Sequence, residues 1–335
     1  RCLAALLITN AHYNNIYPIN IIANGGLLGD IIFFAVSGYC LTNIRTDFFH
    51  WYGKRIMRIL PAVILITIVY MVLGQYDFAF YATGTERTIL FKVLKRLSIP
   101  YPIWLSWFIY PTYYHFVGSI LVLYIPYYIV MKNVWAKNNI LKIMLGVFGV
   151  YLVFYILLYD KVYYHIDTVR EPMIRFLFLE SMLLGAWFRL NDKKLRNVDS
   201  YKLSIRGAGY ITGVFISFIG YFISKILFSH DIGVRFQLVN QILIFVLLYF
   251  TMRWFSCMDS YLETLSRPLY IIVDVIAKNT LEIYLVQYVL IDIIRNMGWP
   301  FPLNWVILTA AIMFTAFLLH IIVQKGMHGV IICYK

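Results

Sequence analysis

Long apolar runs, each closed by a short polar or turn-forming stretch, dominate the chain. Ten can be drawn, near Cys2–Ala11, Leu27–Thr42, Leu60–Leu73, Pro111–Val130, Leu141–Leu158, Met173–Leu190, Gly207–Leu227, Gln237–Met252, Thr280–Ile294 and Asn304–Ile322. Runs of this kind read as membrane-spanning helices, although several fall short of the about 20 residues that an upright crossing needs. The first is the shortest, and residues upstream of Arg1 are expected to complete it. No internal repeat or low-complexity tract interrupts the series. The predicted fold class is therefore all-α, a polytopic membrane bundle of about ten transmembrane helices, with residues 1–335 forming a single domain.

Composition sharpens this picture. Of the 335 residues, 61% are hydrophobic and 13% charged, against about 45–50% and about 25% in soluble domains. An ordinary water-soluble globule and a disordered chain are both excluded, because the apolar surplus has to face lipid. The net charge of +13 comes from basic residues clustered between apolar runs, which is the pattern of the positive-inside rule rather than a nucleic-acid footprint. With the start in the cytoplasm, the connections at 43–59, 131–142, 189–206 and 253–278 and the tail hold most of the 29 basic residues. Both termini are then cytoplasmic, and the first outer loop, Tyr13–Asn24, carries no charge. Lys92, Lys95 and Arg96 fall on the outer side, where an amphipathic helix lying on the bilayer accommodates them. The four cysteines are scattered and indicate neither a disulfide framework nor a metal site.

Ionisable groups within apolar runs are costly and point to function by default. His12 stands at the outer end of the first run, where imidazole can take and return a proton at neutral pH. An interfacial histidine bonded to a headgroup or carbonyl is the plainer alternative. Arg1 lies eleven residues earlier, about 16 Å along a helix and near three full turns, so both side chains face the same way. Asp30 follows Gly25, Gly26 and Gly29; its carboxylate can orient the His12 ring as in a nucleophile triad or complement a helix N-terminus. Ser37 and Gly38 offer either a substrate hydroxyl or a small-residue packing face. Arg55 and Arg58 share a helix face, with guanidinium forks suited to phosphate oxygens or to anionic lipid. Glu180, Asp274, Glu282 and Asp292 are embedded or near-interface acids, fitted to buried hydrogen bonding or to a proton path. Trp104 and Trp107, in an outer connection, offer platforms for sugar rings or interfacial anchors.

Taken in order, these residues resemble the integral-membrane acyltransferase-three family. The resemblance rests on Arg1, ten residues and His12; on Gly29-Asp30-Ile31-Ile32-Phe33-Phe34-Ala35-Val36-Ser37-Gly38-Tyr39; and on Arg55-Ile56-Met57-Arg58 with Pro61. Trp107-Phe108 and Leu281-Glu282-Ile283-Tyr284-Leu285 add to it. Two positions depart: many relatives carry histidine where this chain has Gln287, and many place the acid one position after Asp30. The extracytoplasmic hydrolase-like domain of some relatives is not expected after the tenth run.

The resemblance implies transfer of an acyl group, commonly acetyl, from cytosolic acyl-CoA to a hydroxyl of a cell-envelope carbohydrate. His12 and Asp30 are then catalytic, and Arg1, Arg55 and Arg58 hold acetyl-CoA as co-substrate. Ser37, Trp107 and Glu282 meet the substrate, and no metal is needed. Direct transfer and an acyl-histidine route both stay open. The implied partners are acyl-CoA, a polysaccharide or lipid-linked oligosaccharide acceptor and the bilayer; a homo-oligomer is allowed, and nucleic acid is not expected. The implied location is the plasma membrane, crossed several times. A proton-coupled secondary transporter is the rival reading, since His12, Asp30, Glu180, Glu282 and Asp292 suit a relay. The paired broken helices of such folds are not visible in the sequence.

Overall fold

The computed structural model describes residues 1–74, 115–158, 162–167, 173–192, 195, 203–262 and 264–333. Thirteen α-helices occur among the described residues: α1 (Cys2–Ala11), α2 (Gly26–Leu41), α3 (Phe48–Val72), α4 (His115–Lys132), α5 (Val134–Asn138), α6 (Ile140–Leu158), α7 (Met173–Leu190), α8 (Leu203–Ser229), α9 (Leu238–Cys257), α10 (Asp259–Leu262), α11 (Arg267–Lys278), α12 (Thr280–Asn296) and α13 (Leu303–Cys333). No strand occurs among them. The protein is a helical bundle, as the apolar runs predict. Among the described residues, six segments are long and apolar enough to cross a membrane, within Asn20–Leu41, Phe48–Val72, Ile140–Leu157, Arg206–Ser229, Leu238–Cys257 and Leu303–Gly326.

The remaining helices differ for a physical reason. The helix α7 carries Arg175, Glu180 and Arg189, and two thirds of its residues are buried, among them Glu180, Ser181 and Gly185. Similarly, α12 carries Glu282 and buries Gln287. By contrast, α6 and α8 expose Leu145, Ile156, Phe215 and Ile216 on outward faces. Polar residues thus concentrate on helices shielded by protein, and the hydrocarbon-facing helices carry the apolar surplus.

Boundaries shift where local chemistry overrides hydropathy. The third run was drawn from Leu60, but α3 begins at Phe48, because Asp47 accepts a hydrogen bond from the His50 amide at 2.9 Å and caps the helix. Those amides hold the Asp47 carboxyl below its usual value. The cap therefore persists at neutral pH and is lost only as pH falls through that lowered value. The segment before α12, read as a connection, forms the amphipathic helix α11. None of its residues is buried, and Leu269, Ile271 and Ile272 are exposed.

The chain divides into two compact units: Arg1–Gly29, Thr46–Val122 and Ile271–Lys335 in one, Asp30–Arg45 and Leu123–Tyr270 in the other. In the first, α12 packs on α13, α1 and α3. Two glycines, one before α2 and one in its first turn, do separate jobs here. Gly25 adopts φ +102°, which turns the chain, and Gly29 sits where an added Cβ would lie 2.8 Å from the Ala4 carbonyl oxygen of α1.

In the second unit, α8 packs on α9, and α7 on α6 and α9. The α2 and α7 backbones meet so closely that a Cβ on Gly38 would fall 2.0 Å from Met182 O, and one on Gly185 would fall 1.8 Å from Ala35 O. Phe34 and Phe178 stack beside the crossing, with ring centroids 4.3 Å apart. Tyr127 Oη donates to Gly38 O at 2.6 Å. The start of α9 anchors a loop through amides: Gln237 Oε1 accepts from the His165 and Ile166 N–H groups, and Gln241 Nε2 donates to Ile166 O.

Candidate active site

In the first unit, α1 joins the two residues that the spacing singled out. Arg1 caps its N-terminus and His12 its C-terminus, about 16 Å apart along the helix. Arg1 is exposed and His12 half-buried. The His12 backbone N–H bonds Thr9 O at 3.1 Å, which completes the last turn. Its ring meets Tyr288 of α12 edge-on, with centroids 4.7 Å apart and planes at 62°. His12 Nε2 and Tyr288 Oη lie 3.2 Å apart. Among the described residues, His12 Nδ1 has no hydrogen-bond partner. If Nε2–H donates to the Tyr288 oxygen, Nδ1 keeps the free lone pair that a base requires.

The surroundings hold this ring pair in place. Tyr284 packs against Tyr288 with centroids 5.8 Å apart and against Phe116 at 5.3 Å. Tyr70 Oη donates to Leu285 O at 2.7 Å, tying the end of α3 to α12. The loop after His12 is bound as well. Asn10 Nδ2 donates to Ile22 O and Asn24 O at 2.8 and 2.9 Å, and Tyr17 Oη donates to Asn10 Oδ1 at 2.7 Å. Both Asn10 amide hydrogens are engaged, so Asn10 braces the loop and has no donor left for a substrate. Asn304 Nδ2 reaches Ile16 O at 3.0 Å, and Trp305 Nε1 donates to Tyr17 Oη at 3.0 Å. A cavity of about 310 Å³ lies beside α1, lined in part by Thr9, Asn10, Tyr13 and Thr309.

The arginine pair lies on the first half of α3. Arg55 stacks over Trp51 at 4.5 Å and donates to Trp51 O at 3.0 Å, while Arg58 is exposed. Twelve residues separate Arg58 from Tyr70, about 18 Å of helix. Arginines and imidazole thus belong to one unit, with the Tyr70 bond linking α3 to the helix that carries Tyr288.

Other expected site residues are placed as follows. Glu282 is buried, and its Oε1 lies 2.8 Å from His320 Nδ1 of α13, so this carboxylate is committed to a partner within the fold. Ser37 is buried beside Gly38 at the α2–α7 crossing, where small residues let backbones touch. Asp30 is partly exposed on α2 and has no hydrogen-bond partner among the described residues. It belongs to the second unit. Trp104 and Trp107 lie outside the described residues. No group of three or more His, Cys, Asp or Glu side chains converges among the described residues as a metal site would.

Two residues escape the sequence reading, Tyr288 and His320, and Gln287, marked there only as a departure from the family pattern, gains a structural setting. Tyr288 has no sequence signature, since one tyrosine among 28 attracts no notice until a ring is seen against it. His320, a lone imidazole within the last apolar run, was legible by the rule that intramembrane ionisable groups have partners. Gln287 is fully buried, and neither Nε2 nor Oε1 has a partner among the described residues. A buried amide with both functions unpaired has hydrogen-bonding capacity to spare.

A family model described as an acyltransferase domain matches residues 1–323. No curated protein and no solved structure matches. The match spans nearly the whole chain, and with it the helix bearing Arg1 and His12, the arginine pair and the glycine-rich start of α2: the chain belongs to the acyltransferase-three family and is a multi-pass membrane acyltransferase.

Proposed function

We propose that the protein transfers an acyl group, most simply acetyl, from acyl-CoA to a hydroxyl of a cell-envelope or exported polysaccharide, with His12 as general base. The observation that carries this reading is the state of the His12 ring. One nitrogen is tethered to Tyr288 Oη at 3.2 Å, and the other is without a partner among the described residues. Nδ1 takes the proton of the acceptor hydroxyl as its oxygen attacks the thioester carbonyl. The C–O bond forms, the C–S bond breaks, and the imidazolium returns the proton to the departing thiolate. Tyr288 is the positioning residue, since its oxygen stabilises the Nε2–H face of the imidazolium.

Arg55, Arg58 and Arg1 hold the polyanionic end of the donor through charge-assisted hydrogen bonds. The about 18 Å of helix between Arg58 and the level of Tyr70 suits a donor whose thioester sits at the end of a long arm, remote from its phosphates. On the family resemblance alone, Asp30, Ser37, Trp107 and Glu282 are proposed as orienting and acceptor-side groups. In Glu282 that role acts through the His320 bond, which fixes α12 against α13. The proposed site of action is the plasma membrane.

Two measurements test these assignments. In the protein reconstituted in liposomes with acetyl-CoA and envelope polysaccharide, replacing both Arg55 and Arg58 by alanine should weaken acetyl-CoA binding roughly tenfold, the worth of one or two charge-assisted contacts near a surface. Calorimetry reads this directly, and unchanged affinity returns the pair to a lipid-anchoring role. Tyr288→Phe keeps the ring packing and loses the hydroxyl. It should lower kcat about tenfold with KM for the donor unaltered, because the lost bond matters most when the imidazole is charged. A change in KM alone would place Tyr288 in donor binding instead.

A further inference from the structure

The second unit contains a pocket of about 430 Å³ between α6, α7 and α9, none of whose lining residues belongs to the candidate active site. Its walls are apolar except for Glu180, Gln241 and the hydroxyl of Tyr151. The Gln241 amide is satisfied within the fold, since Oε1 accepts from Tyr151 Oη at 2.9 Å and Nε2 donates to Ile166 O. Glu180 is different. It is 7% exposed, and its buried Oε1 has no hydrogen-bond partner among the described residues. A buried carboxyl oxygen left unpaired is costly, and native structures retain such groups where a partner is supplied.

The mouth of the pocket shows where that partner comes from. Of the residues that line the pocket, Leu141, Leu145 and Ile242 are 57%, 71% and 42% exposed, which puts its open side at their face. They lie on α6 and α9, both long and apolar enough to cross a membrane, so the mouth opens toward hydrocarbon. The volume is that of a small-ligand site. A molecule reaching it travels through the bilayer interior, which excludes a charged head and favours a hydroxyl, the cheapest polar group that both donates and accepts.

We propose that this pocket binds a neutral, hydroxyl-bearing lipid, its chain lying between α6 and α9 and its hydroxyl bonded to Glu180. The assignment is independent of the acyl-transfer reading. A test uses the full chain in phosphatidylcholine nanodiscs with a diazirine-labelled long-chain alcohol, followed by irradiation and peptide mapping. Adducts should concentrate on α6 and α9, and unlabelled hexadecanol should suppress them where hexadecane does not. Glu180→Leu should cut labelling roughly tenfold, the loss of one buried hydrogen bond, and Glu180→Gln should restore most of it. Leu145→Trp, which narrows the mouth on an exposed face and leaves Glu180 in place, should also cut labelling if Glu180→Leu proves unstable. Adducts spread evenly over all exposed helices, equal competition by hexadecane, or undiminished labelling in both Glu180→Leu and Leu145→Trp would overturn the proposal. Stronger competition by a long-chain amine than by the alcohol would likewise overturn it in favour of a cation site.

Discussion

His12→Ala is expected to lower acyl transfer by about 10²–10⁴-fold, the contribution of a positioned proton acceptor. The substitution removes the imidazole and leaves the backbone bond from residue 12 to Thr9 O that ends α1. The loop beyond is braced by hydrogen bonds of Asn10, Tyr17, Asn304 and Trp305, whereas the His12 ring bonds Tyr288. The folded state should therefore survive, and the loss should appear in kcat with donor affinity intact. Thiol release from acetyl-CoA and the acyl content of the polysaccharide, measured alongside the unfolding temperature, separate these effects. A parallel collapse of activity and unfolding temperature would make His12 structural, and retained activity would remove it from the chemistry.

The largest effect on stability is expected at the α2–α7 crossing. In Gly185→Val, the first added atom would stand 1.8 Å from Ala35 O. That neighbour is backbone on a packed helix and cannot swing aside as a side chain can. The helices must separate, which breaks the Phe34–Phe178 stack at 4.3 Å and strains the bond from Tyr127 to Gly38 O. Overpacking of this kind costs about 1–3 kcal/mol and often more when backbone must move, so the variant should melt at a clearly lower temperature or fail to accumulate. Gly53→Ala supplies the contrast. An added Cβ at Gly53 meets nothing within 4 Å, and within α3 alanine should stabilise by about 0.5–1 kcal/mol. Equal behaviour of the two variants in a detergent melt would contradict the close-crossing explanation.

These two cases show what was legible in the sequence. The bundle was readable because hydropathy reports the solvent around a helix, and the Arg1–His12 spacing placed both residues at the ends of α1, as helical periodicity requires. The small-residue reading of Ser37-Gly38 pointed to a packing face, and the structure shows Gly38 in one. What was not legible was pairing. Nothing local to Glu282 names His320, 38 residues on, and nothing local to His12 names Tyr288. Contacts between distant helices depend on rotation and register, which single-chain periodicity leaves free. The start of α3 was misplaced for the opposite reason, because a capping aspartate outside the apolar run extends the helix beyond what hydropathy marks.

The central claim is that the acyl donor is brought to His12 while its phosphates are held by the arginines of α3. A density map of the full chain with a non-hydrolysable acyl-CoA tests it most directly. The thioether end should lie within hydrogen-bond or van der Waals reach of His12 Nδ1, about 3–4 Å, with phosphate density against Arg55 and Arg58. Acyl-CoA bound with its acyl end remote from His12, or with its phosphates away from both arginines, would contradict the account.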